Sequence, residues 1–403
     1  MSGGVDSSMC AHILHRQGYD VTGLYMHNWN HQEETQDEYE PRPIRPHSHT
    51  CTSDRDWADV QAVCQQIGIP SHRLDFSRQY WNQVFEAMLQ EYERGRTPNP
   101  DIACNREIKF GELIKCPATL SGWDYLATGH YARVEQDPVT GRARLMRSPD
   151  SNKDQSYYLS ELSEPILRHV IFPLAQYNKS TVKGMAIETG VQQLKDAAMK
   201  KESMGVCFVG QRRRFGEFLQ EYLKAEPGPV KVNGLDGREI GQHKGLFQYT
   251  IGQASGIAFG HQKWVVLRMD LPSNTLIVVE GTQNERLFSP GLIAESWHWI
   301  AGTPPKNLLQ SVEETDRPGA EKDFPFTAQI RHRQQPQPCR IELVGDPTDG
   351  TSHGTLPQQY VVRFKDLQRA IAPGQHIVLY DRDECLGGAV IYSSLPSPSG
   401  ICP

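Results

Sequence analysis

The sequence predicts an α/β protein in which a doubly wound parallel-sheet domain is followed by a small central domain and a β-barrel-like C-terminal domain. Three observations predict this order. Strand-like and helix-like apolar patterns alternate up to about residue 210. Beyond Arg214, Gly and Pro separate short β-rich runs. The length of 403 residues allows two or three domains, which we place at 1–210, 211–282 and 283–403.

The first domain alternates helices with strands. Apolar residues at helical spacing, Met9, Cys10, Ile13 and Leu14, predict a first helix that ends at Gly18. A helix capped by Ser53 and a helix closed by Gly95 are predicted in the same way. A buried strand is predicted at Val21–Met26, a short strand at Arg73–Phe76 and another strand at Tyr125–Thr128. The polar stretch 27–52 is predicted as a long loop. Because strand and helix alternate, we expect parallel pairing and ligands at the carboxyl ends of the strands.

The rest of the chain is predicted to be rich in short strands. Apolar runs predict them at Trp264–Met269, Thr275–Val279, Phe326–Arg331, Cys339–Val344, Tyr360–Phe364 and Gln375–Tyr380. This spacing is typical of small β domains or barrels. The polar stretch Pro304–Phe324 is predicted to be an exposed excursion.

Composition excludes some functions. No run of about 18 apolar residues occurs, so no membrane span is predicted. The net charge of −6 argues against binding nucleic acid by bulk electrostatics alone. Three basic clusters, Lys200–Lys201, Arg212–Arg214 and Arg331–Arg333, leave local binding open, although solvated surface explains each more simply.

The nine cysteines are odd in number and include no Cys-x-x-Cys pair. Neither a disulfide framework nor a zinc site is therefore predicted, and no other metal site is indicated. A reducing compartment is the simplest expectation, with mostly inert thiols and one or two reactive ones.

The opening segment has the composition of a phosphate-binding loop, and it consists of Ser2, Gly3, Gly4, Val5, Asp6, Ser7 and Ser8. Small residues let backbone N–H groups approach phosphate oxygens, and the following helix points its positive end at them. The Walker pattern is absent, and Ser-Gly-Gly-x-Asp-Ser-Ser instead resembles the ATP pyrophosphatases, which cleave ATP between its α and β phosphates. Such a loop normally follows a buried strand, so we expect that a strand is missing before Ser2.

Two cysteines lie in segments that favour a reactive thiol. Cys104 is predicted near the start of a helix, where the helix N-terminus and Arg106 would lower the thiol pKa. Asp101, three residues earlier, is suited to general acid or base catalysis or to aligning a base ring. Cys207 lies between small residues and cations. Each cysteine taken alone is also compatible with a structural role.

These segments together resemble the tRNA-specific 2-thiouridylases, which replace the C2 oxygen of the wobble uridine with sulfur. The combination of Asn-Pro-Asp-x-x-Cys-Asn at 99–105 with Ser-x-Gly-x-Cys-Phe at 203–208 is specific to that family. The resemblance runs nearly end to end. Its other segments are Tyr25–Trp29, Arg96–Lys109, Ala127–Arg133, Asp150–Tyr157, Glu202–Gly210, His243–Gly245, Ile251–Gln253, Pro373–Gln375 and Cys385–Gly388.

The resemblance implies a division of labour between the cysteines. Cys207 would receive sulfur as a persulfide from a donor protein, a cysteine desulfurase or a relay, and Cys104 would release it by forming a disulfide with Cys207. ATP, with Mg²⁺, would adenylate the uracil O2, because an unactivated ring carbonyl does not expel oxide. The target base would have to leave its stack to reach the pocket.

The resemblance also implies binding residues. ATP would be held by the loop Ser2–Ser8 together with Met26 and Gly129. The target base would meet Asn99, Pro100 and Asp101. The remaining tRNA contacts would be His130, Lys153, Asp154, Gln155, Arg331, His332 and Gln375. The chain departs from the family pattern at two places on this surface: Ala254 replaces the usual Arg, and the stretch 27–52 is longer than expected.

Two other functions stay open at this stage. An amidating ligase would use the same loop, but no glutaminase-like segment occurs and both cysteines would be idle. A catalytically silent tRNA-binding protein would bind tRNA without binding ATP. The stretch from Cys51 to Cys64 and the extra loops resemble mitochondrial members, so we expect a mitochondrial protein whose transit peptide is missing, or a cytoplasmic one if the source is bacterial. We expect a monomer.

Overall fold

The structure is a computed structural model that describes residues 1–29, 52–115, 122–200, 215–234, 237–305, 308, 324–344 and 358–397. The chain forms two compact units. Unit 1 consists of Met1–Phe85, Ala103–Leu159 and Glu164–Gln211, and unit 2 of Glu86–Ile102, Ser160–Ser163 and Arg212–Pro403. No helix in these described ranges is long and apolar enough to cross a membrane.

The helices are mostly in the first half of the chain. They are α1 (Val5–Arg16), α2 (Thr52–Ile67), α3 (Ser77–Tyr80), α4 (Glu86–Glu93), α5 (Pro100–Ala103), α6 (Leu113–Lys115), α7 (Glu164–Leu167), α8 (Lys179–Glu188), α9 (Gln192–Met199) and α10 (Phe215–Leu219). Two π-helical segments, Trp81–Phe85 and Cys104–Glu112, follow α3 and α5, and 3₁₀ turns lie at Ser156–Leu159, Leu246–Gln248 and Glu285–Leu287.

The strands are distributed over both units. They are β1 (Gly23–His27), β2 (Ser71–Asp75), β3 (Leu126–Ala127), β4 (Arg133–Gln136), β5 (Ala143–Met146), β6 (Val170–Ile171), β7 (Gly228–Val232), β8 (Glu239–His243), β9 (Trp264–Asp270), β10 (Thr275–Glu280), β11 (Phe288–Trp299), β12 (Phe326–Gln329), β13 (Gln337–Leu343), β14 (Gln359–Arg369), β15 (His376–Asp381) and β16 (Glu384–Ser394).

Unit 1 has the parallel pairing that the alternation of helix and strand predicts. β1 pairs in parallel with β2, and β3 pairs in parallel with β6. The hairpin β4–β5 is antiparallel and was not expected from the sequence. The Met1 amino group donates to the Leu24 carbonyl oxygen, which holds the residue before the loop against β1. A buried apolar cluster beneath α1 includes Met9, Leu174 and Val182, so α1 packs on α8 and α9.

The expected cap at Ser53 is wrong. Helix α2 already begins at Thr52, so Ser53 lies inside its first turn. The Ser53 hydroxyl is instead 2.6 Å from Nδ1 of His27 and 3.0 Å from the Tyr25 hydroxyl. Ser53 therefore joins the start of α2 to the end of β1. Most of the predicted loop 27–52 and of the excursion Pro304–Phe324 lies outside the described residues.

Unit 2 contains two β structures. Strands β8, β7, β10 and β9 form a sheet in that order around Val230, Val266 and Leu276. Strands β11, β14, β13, β12, β15 and β16 form a closed barrel, because β11 also pairs with β16. The barrel interior is apolar and is filled by residues such as Leu292, Phe326 and Ile377. The β-barrel-like C-terminal domain predicted from the sequence is confirmed.

Candidate active site

The loop Ser2–Ser8 leads directly into α1. Gly4 stands at the N-cap in an extended conformation, and no side chain caps the helix. The first N–H groups of a helix have no acceptor within it, so those of α1 remain available to a ligand. Such a helix start favours an anion, since the N–H groups and the helix dipole act in the same direction.

The serines of the loop divide into two kinds. The Ser7 hydroxyl accepts from the Ser2 backbone N–H at 3.1 Å and donates to the Gly4 carbonyl at 3.3 Å, which fixes the shape of the loop. The Ser8 hydroxyl is fully buried and finds no hydrogen-bond partner within the described part of the chain. A buried hydroxyl without a partner needs an explanation, and a phosphate oxygen would supply the missing acceptor. The loop therefore fits a phosphate group.

The carboxylate of Asp6 is bound by two side chains from outside the loop, those of Tyr131 and Lys179. Tyr131 donates its hydroxyl to one oxygen at 2.8 Å, and the Lys179 ammonium binds the other. Burial and the neighbouring Asp6 charge raise the pKa of Tyr131, so its phenol keeps its proton. Sequence reasoning missed both partners. Tyr131 stood in a matching segment without a role, and Lys179 is 173 residues from Asp6 with no motif to mark it.

Gly129 lies against the loop as expected for a nucleotide-contacting position. A Cβ atom at Gly129 would stand 3.0 Å from the Ser7 backbone nitrogen and 3.0 Å from the Asp6 Cβ. A side chain at this position would be crowded, because these two contacts and a third to the Asp6 carbonyl carbon at 3.1 Å are closer than nearly all real Cβ contacts. Met26, the other expected contact, is partly buried near the carboxyl end of β1. ATP binding by these residues stays a prediction.

The segment 153–155, predicted to contact tRNA, is used within unit 1. Gln155 accepts from the Tyr131 backbone N–H at 3.0 Å and so supports the residue that holds Asp6. Asp154 is buried and accepts from Arg147 Nε at 2.8 Å and from the Ser148 N–H at 3.1 Å. Lys153 is partly exposed. These contacts give Asp154 and Gln155 structural roles, whatever their part in binding RNA.

His130 lies in the core of unit 1. Its Nδ1 is 2.8 Å from the Thr128 hydroxyl, and its ring packs against both Phe110 and Phe172. Burial, together with the Lys109 charge, lowers the pKa of His130 well below its ordinary value. The imidazole is therefore neutral, and it does not offer a cation to an RNA phosphate as a surface histidine would.

Cys104 is buried and lies at the first residue of the π-helical segment. The helix itself begins earlier, at Pro100, and Asn99 caps it by accepting from the Asp101 N–H at 3.2 Å. The expectation that the helix N-terminus activates Cys104 is weakened, because this effect is confined to the first turn. Arg106 is also less available than expected, since its Nε pairs with Glu107 at 2.6 Å.

Gln375 supports the segment predicted to meet the target base. Its side-chain amide donates to the Thr97 carbonyl at 2.7 Å and to the Pro98 carbonyl at 3.3 Å. These residues immediately precede Asn99, Pro100 and Asp101, and the Asp101 side chain is exposed. The predicted tRNA contact of Gln375 is untested, but its amide already positions this segment.

Arg331 and His332 lie on the loop after β12. This loop lines a surface cavity of about 450 Å³, together with Arg333 and Arg369. Arg331 also donates to the Arg369 carbonyl. The basic cluster is therefore partly exposed, as RNA binding requires. Lys200, from another basic cluster, pairs with Asp59 instead.

Several expected residues lie outside the described ranges. They are Cys207 with its whole segment from Lys201 onward, and the cluster Arg212–Arg214. Among the described residues, no three His, Cys, Asp or Glu side chains come together in a way that could hold a metal ion.

Three family models match consecutive parts of the chain. The model "tRNA methyl transferase HUP domain" matches residues 1–211. The model "tRNA methyl transferase PRC-barrel domain" matches 216–280, and "Aminomethyltransferase beta-barrel domain" matches 289–391. The last two correspond to the four-stranded sheet and to the closed barrel of unit 2.

Bacterial proteins named tRNA-specific 2-thiouridylase MnmA are similar to the chain over nearly its whole length. The protein from Tolumonas auensis is 41% identical over 397 residues, which are 97% of this chain and 95% of the relative. The protein from Lysinibacillus sphaericus is 42% identical over 393 residues, 97% of this chain and 92% of the relative. The protein from Yersinia enterocolitica is 40% identical over 407 residues, 100% of this chain and 96% of the relative.

Proposed function

The chain belongs to the family of tRNA-specific 2-thiouridylases, and we propose that it activates the wobble uridine of tRNA with ATP and replaces the C2 oxygen with sulfur. The enzyme class is that of a tRNA sulfurtransferase. The observation that carries the proposal is the loop Ser2–Ser8. It leads into an uncapped helix start and contains a buried Ser8 hydroxyl without a partner among the described residues.

The loop would bind the pyrophosphate portion of ATP. The free N–H groups of α1 and the Ser8 hydroxyl would donate to phosphate oxygens. Tyr131 and Lys179 would keep the Asp6 carboxylate out of that space, because both of its oxygens are engaged by them. The α-phosphate would then be open to attack by the uracil O2, which displaces pyrophosphate and leaves an adenylated base. Mg²⁺ bound with ATP would offset part of the phosphate charge.

The sulfur step would use Cys207 and Cys104. The terminal sulfur of a Cys207 persulfide attacks C2 of the adenylated base, and AMP departs with the former uracil oxygen. The Cys104 thiolate attacks the Cys207 Sγ, which forms a disulfide and leaves the transferred sulfur on the base. The electron pair of the sulfur–sulfur bond moves to the transferred sulfur. An external reductant, a thiol, then restores both cysteines. The buried state of Cys104 protects its thiol from other oxidants before this step.

The two alternatives have less support. An amidating ligase requires a source of ammonia and gives neither cysteine a role. A silent tRNA-binding protein gives no reason for the loop Ser2–Ser8 to lead into an uncapped helix start. It also gives no reason for Gly129 to pack closely against that loop. The sulfur-donor protein, the monomeric state and the mitochondrial location remain proposals, and the relatives named above are bacterial.

The proposed two-cysteine mechanism is tested by replacing each cysteine separately. We expect Cys104→Ser and Cys207→Ser each to abolish formation of 2-thiouridine in tRNA while ATP affinity is unchanged. Cys402→Ser is the matched control, because it makes the same chemical change near the C-terminus. Retained thiolation in either of the first two variants would refute the mechanism, whereas loss of ATP binding would show that the variant is misfolded.

A further inference from the structure

Unit 2 contains a cavity of about 520 Å³ that none of the predicted binding residues lines. Its wall is formed by the segment Arg94–Arg96, by β9, by the turn ahead of β11 and by the end of β16. Pockets of a few hundred cubic ångströms suit ligands as large as a nucleotide. The volume therefore allows an occupant larger than a single ion.

The charged side chains that line the cavity are all positive. Four arginines, Arg94, Arg96, Arg268 and Arg286, line the cavity, and no Asp or Glu does. Two of these charges are balanced nearby, since Arg94 pairs with Glu91 at 2.8 Å and Arg96 with Glu295 at 3.1 Å. The other two have no acidic partner in the described part of unit 2.

Arg268 and Arg286 both have guanidinium N–H groups that bind no acceptor among the described residues. Arg268 is half-buried on β9, and its guanidinium makes no hydrogen bond or ion pair to any described residue. Arg286 donates to the Asn233 carbonyl at 3.0 Å, but its buried Nε has no partner among the residues described. A half-buried guanidinium with unused donors favours an anionic ligand, and phosphate oxygens match its geometry best. The unused donors point to a phosphate ligand.

We propose that this cavity binds the phosphate of a nucleotide unit, contributed either by the RNA strand or by a free nucleotide. Arg268 and Arg286 hold the phosphate. The ring of Tyr392, partly exposed at the cavity and already stacked by the Arg96 guanidinium at 5.3 Å, offers a face for a base or ribose.

The cavity adjoins the segment predicted to meet the target base. Arg94–Arg96 forms one wall, and Thr97 and Pro98, which Gln375 holds, follow directly in the chain before Asn99. A phosphate held against this wall steadies the segment Asn99–Asp101. This consequence rests on the proposed function, whereas phosphate binding by the cavity does not.

The test compares Arg268→Gln with Lys263→Gln. Both remove one positive charge from the same sheet domain, but Lys263 is exposed and does not line the cavity. For each variant, tRNA affinity is measured by anisotropy over a range of salt concentrations, and AMP binding by calorimetry. Neither measurement requires thiolation. Failure of the proposed enzyme activity would therefore leave both results interpretable.

If the RNA strand supplies the phosphate, Arg268→Gln weakens tRNA binding about tenfold and lowers the salt slope by about one, whereas Lys263→Gln changes neither. If a free nucleotide supplies it, tRNA affinity is unchanged and a second AMP site seen in the parent chain is lost. Thermal unfolding of both variants serves to detect misfolding. Unchanged tRNA and AMP binding in a folded Arg268→Gln variant would overturn the proposal.

Discussion

Asp6 shows at the scale of single residues how the loop Ser2–Ser8 is kept in shape. The carboxylate lies in the loop but is engaged by Tyr131 and Lys179, which come from distant parts of unit 1. An unpaired carboxylate next to the site would repel the phosphates of ATP. The pair of contacts therefore matters for the ligand as much as for folding.

This arrangement predicts the effect of replacing Lys179. In Lys179→Met the Asp6 charge loses its cation, and we expect the KM for ATP to rise about tenfold or more, with partial recovery in Lys179→Arg. Lys195→Met is the control, because Lys195 is a partly exposed helix lysine of the same unit whose ammonium makes no hydrogen bond or ion pair to a described residue. An unchanged KM in a folded Lys179→Met variant would contradict this role.

The sequence predicts part of the site because loops and close approaches leave local signals. Small residues mark Ser2–Ser8, and the family pattern marks Gly129, which the structure places against the loop. Lys179 left no such signal, since a lysine at a helix start is common and its partner is far away in the chain. For Cys104, in contrast, a local sequence signal was present but was misleading. The sequence predicts this cysteine near the start of a helix, but the first turn of the helix is occupied by Pro100–Ala103.

At the scale of secondary-structure elements, the barrel depends on two long strands that the sequence did not reveal. β11 and β16 close the barrel by pairing with each other. Pro290 and Gly291 interrupt β11, and Gly387 and Gly388 interrupt β16, and in a sequence such residues are typical of turns. The structure gives the reason at Gly387, where φ is +141° and an added Cβ would lie 2.0 Å from the His298 carbonyl oxygen. Gly387, which in a sequence is typical of a turn, therefore allows β16 to approach β11 closely.

Barrel closure therefore predicts a stability difference between two glycines. We expect Gly387→Ala to lower the free energy of unfolding by about 2–4 kcal/mol. The positive φ strains an alanine, and the alanine Cβ would also clash with the His298 carbonyl oxygen. Gly281→Ala is the control, since Gly281 also has a positive φ of +80° but no atom within 4 Å of the added Cβ. It should cost about 1–2 kcal/mol from strain alone. Equal shifts in denaturant midpoint would show that close packing at Gly387 is unimportant.

At the scale of the whole molecule, the residues with predicted roles are divided between the two units. The loop and Cys104 belong to unit 1, whereas Asn99–Asp101, Gln375 and the cluster at Arg331 belong to unit 2. The chain crosses between units within the motif around Cys104, after Ile102. The overall class and the barrel could be predicted from periodicity, but this division could not, because it depends on contacts between distant segments.

The central claim is that the chain couples cleavage of ATP to transfer of sulfur onto tRNA. It is tested most directly by incubating the purified chain with ATP, Mg²⁺, a thiol reductant, unmodified tRNA and a cysteine desulfurase supplied with cysteine. AMP, pyrophosphate and 2-thiouridine are then quantified together. We expect the three products in equal amounts, and no 2-thiouridine when ATP is omitted. Formation of 2-thiouridine without ATP, or release of ADP in place of AMP, would contradict the account.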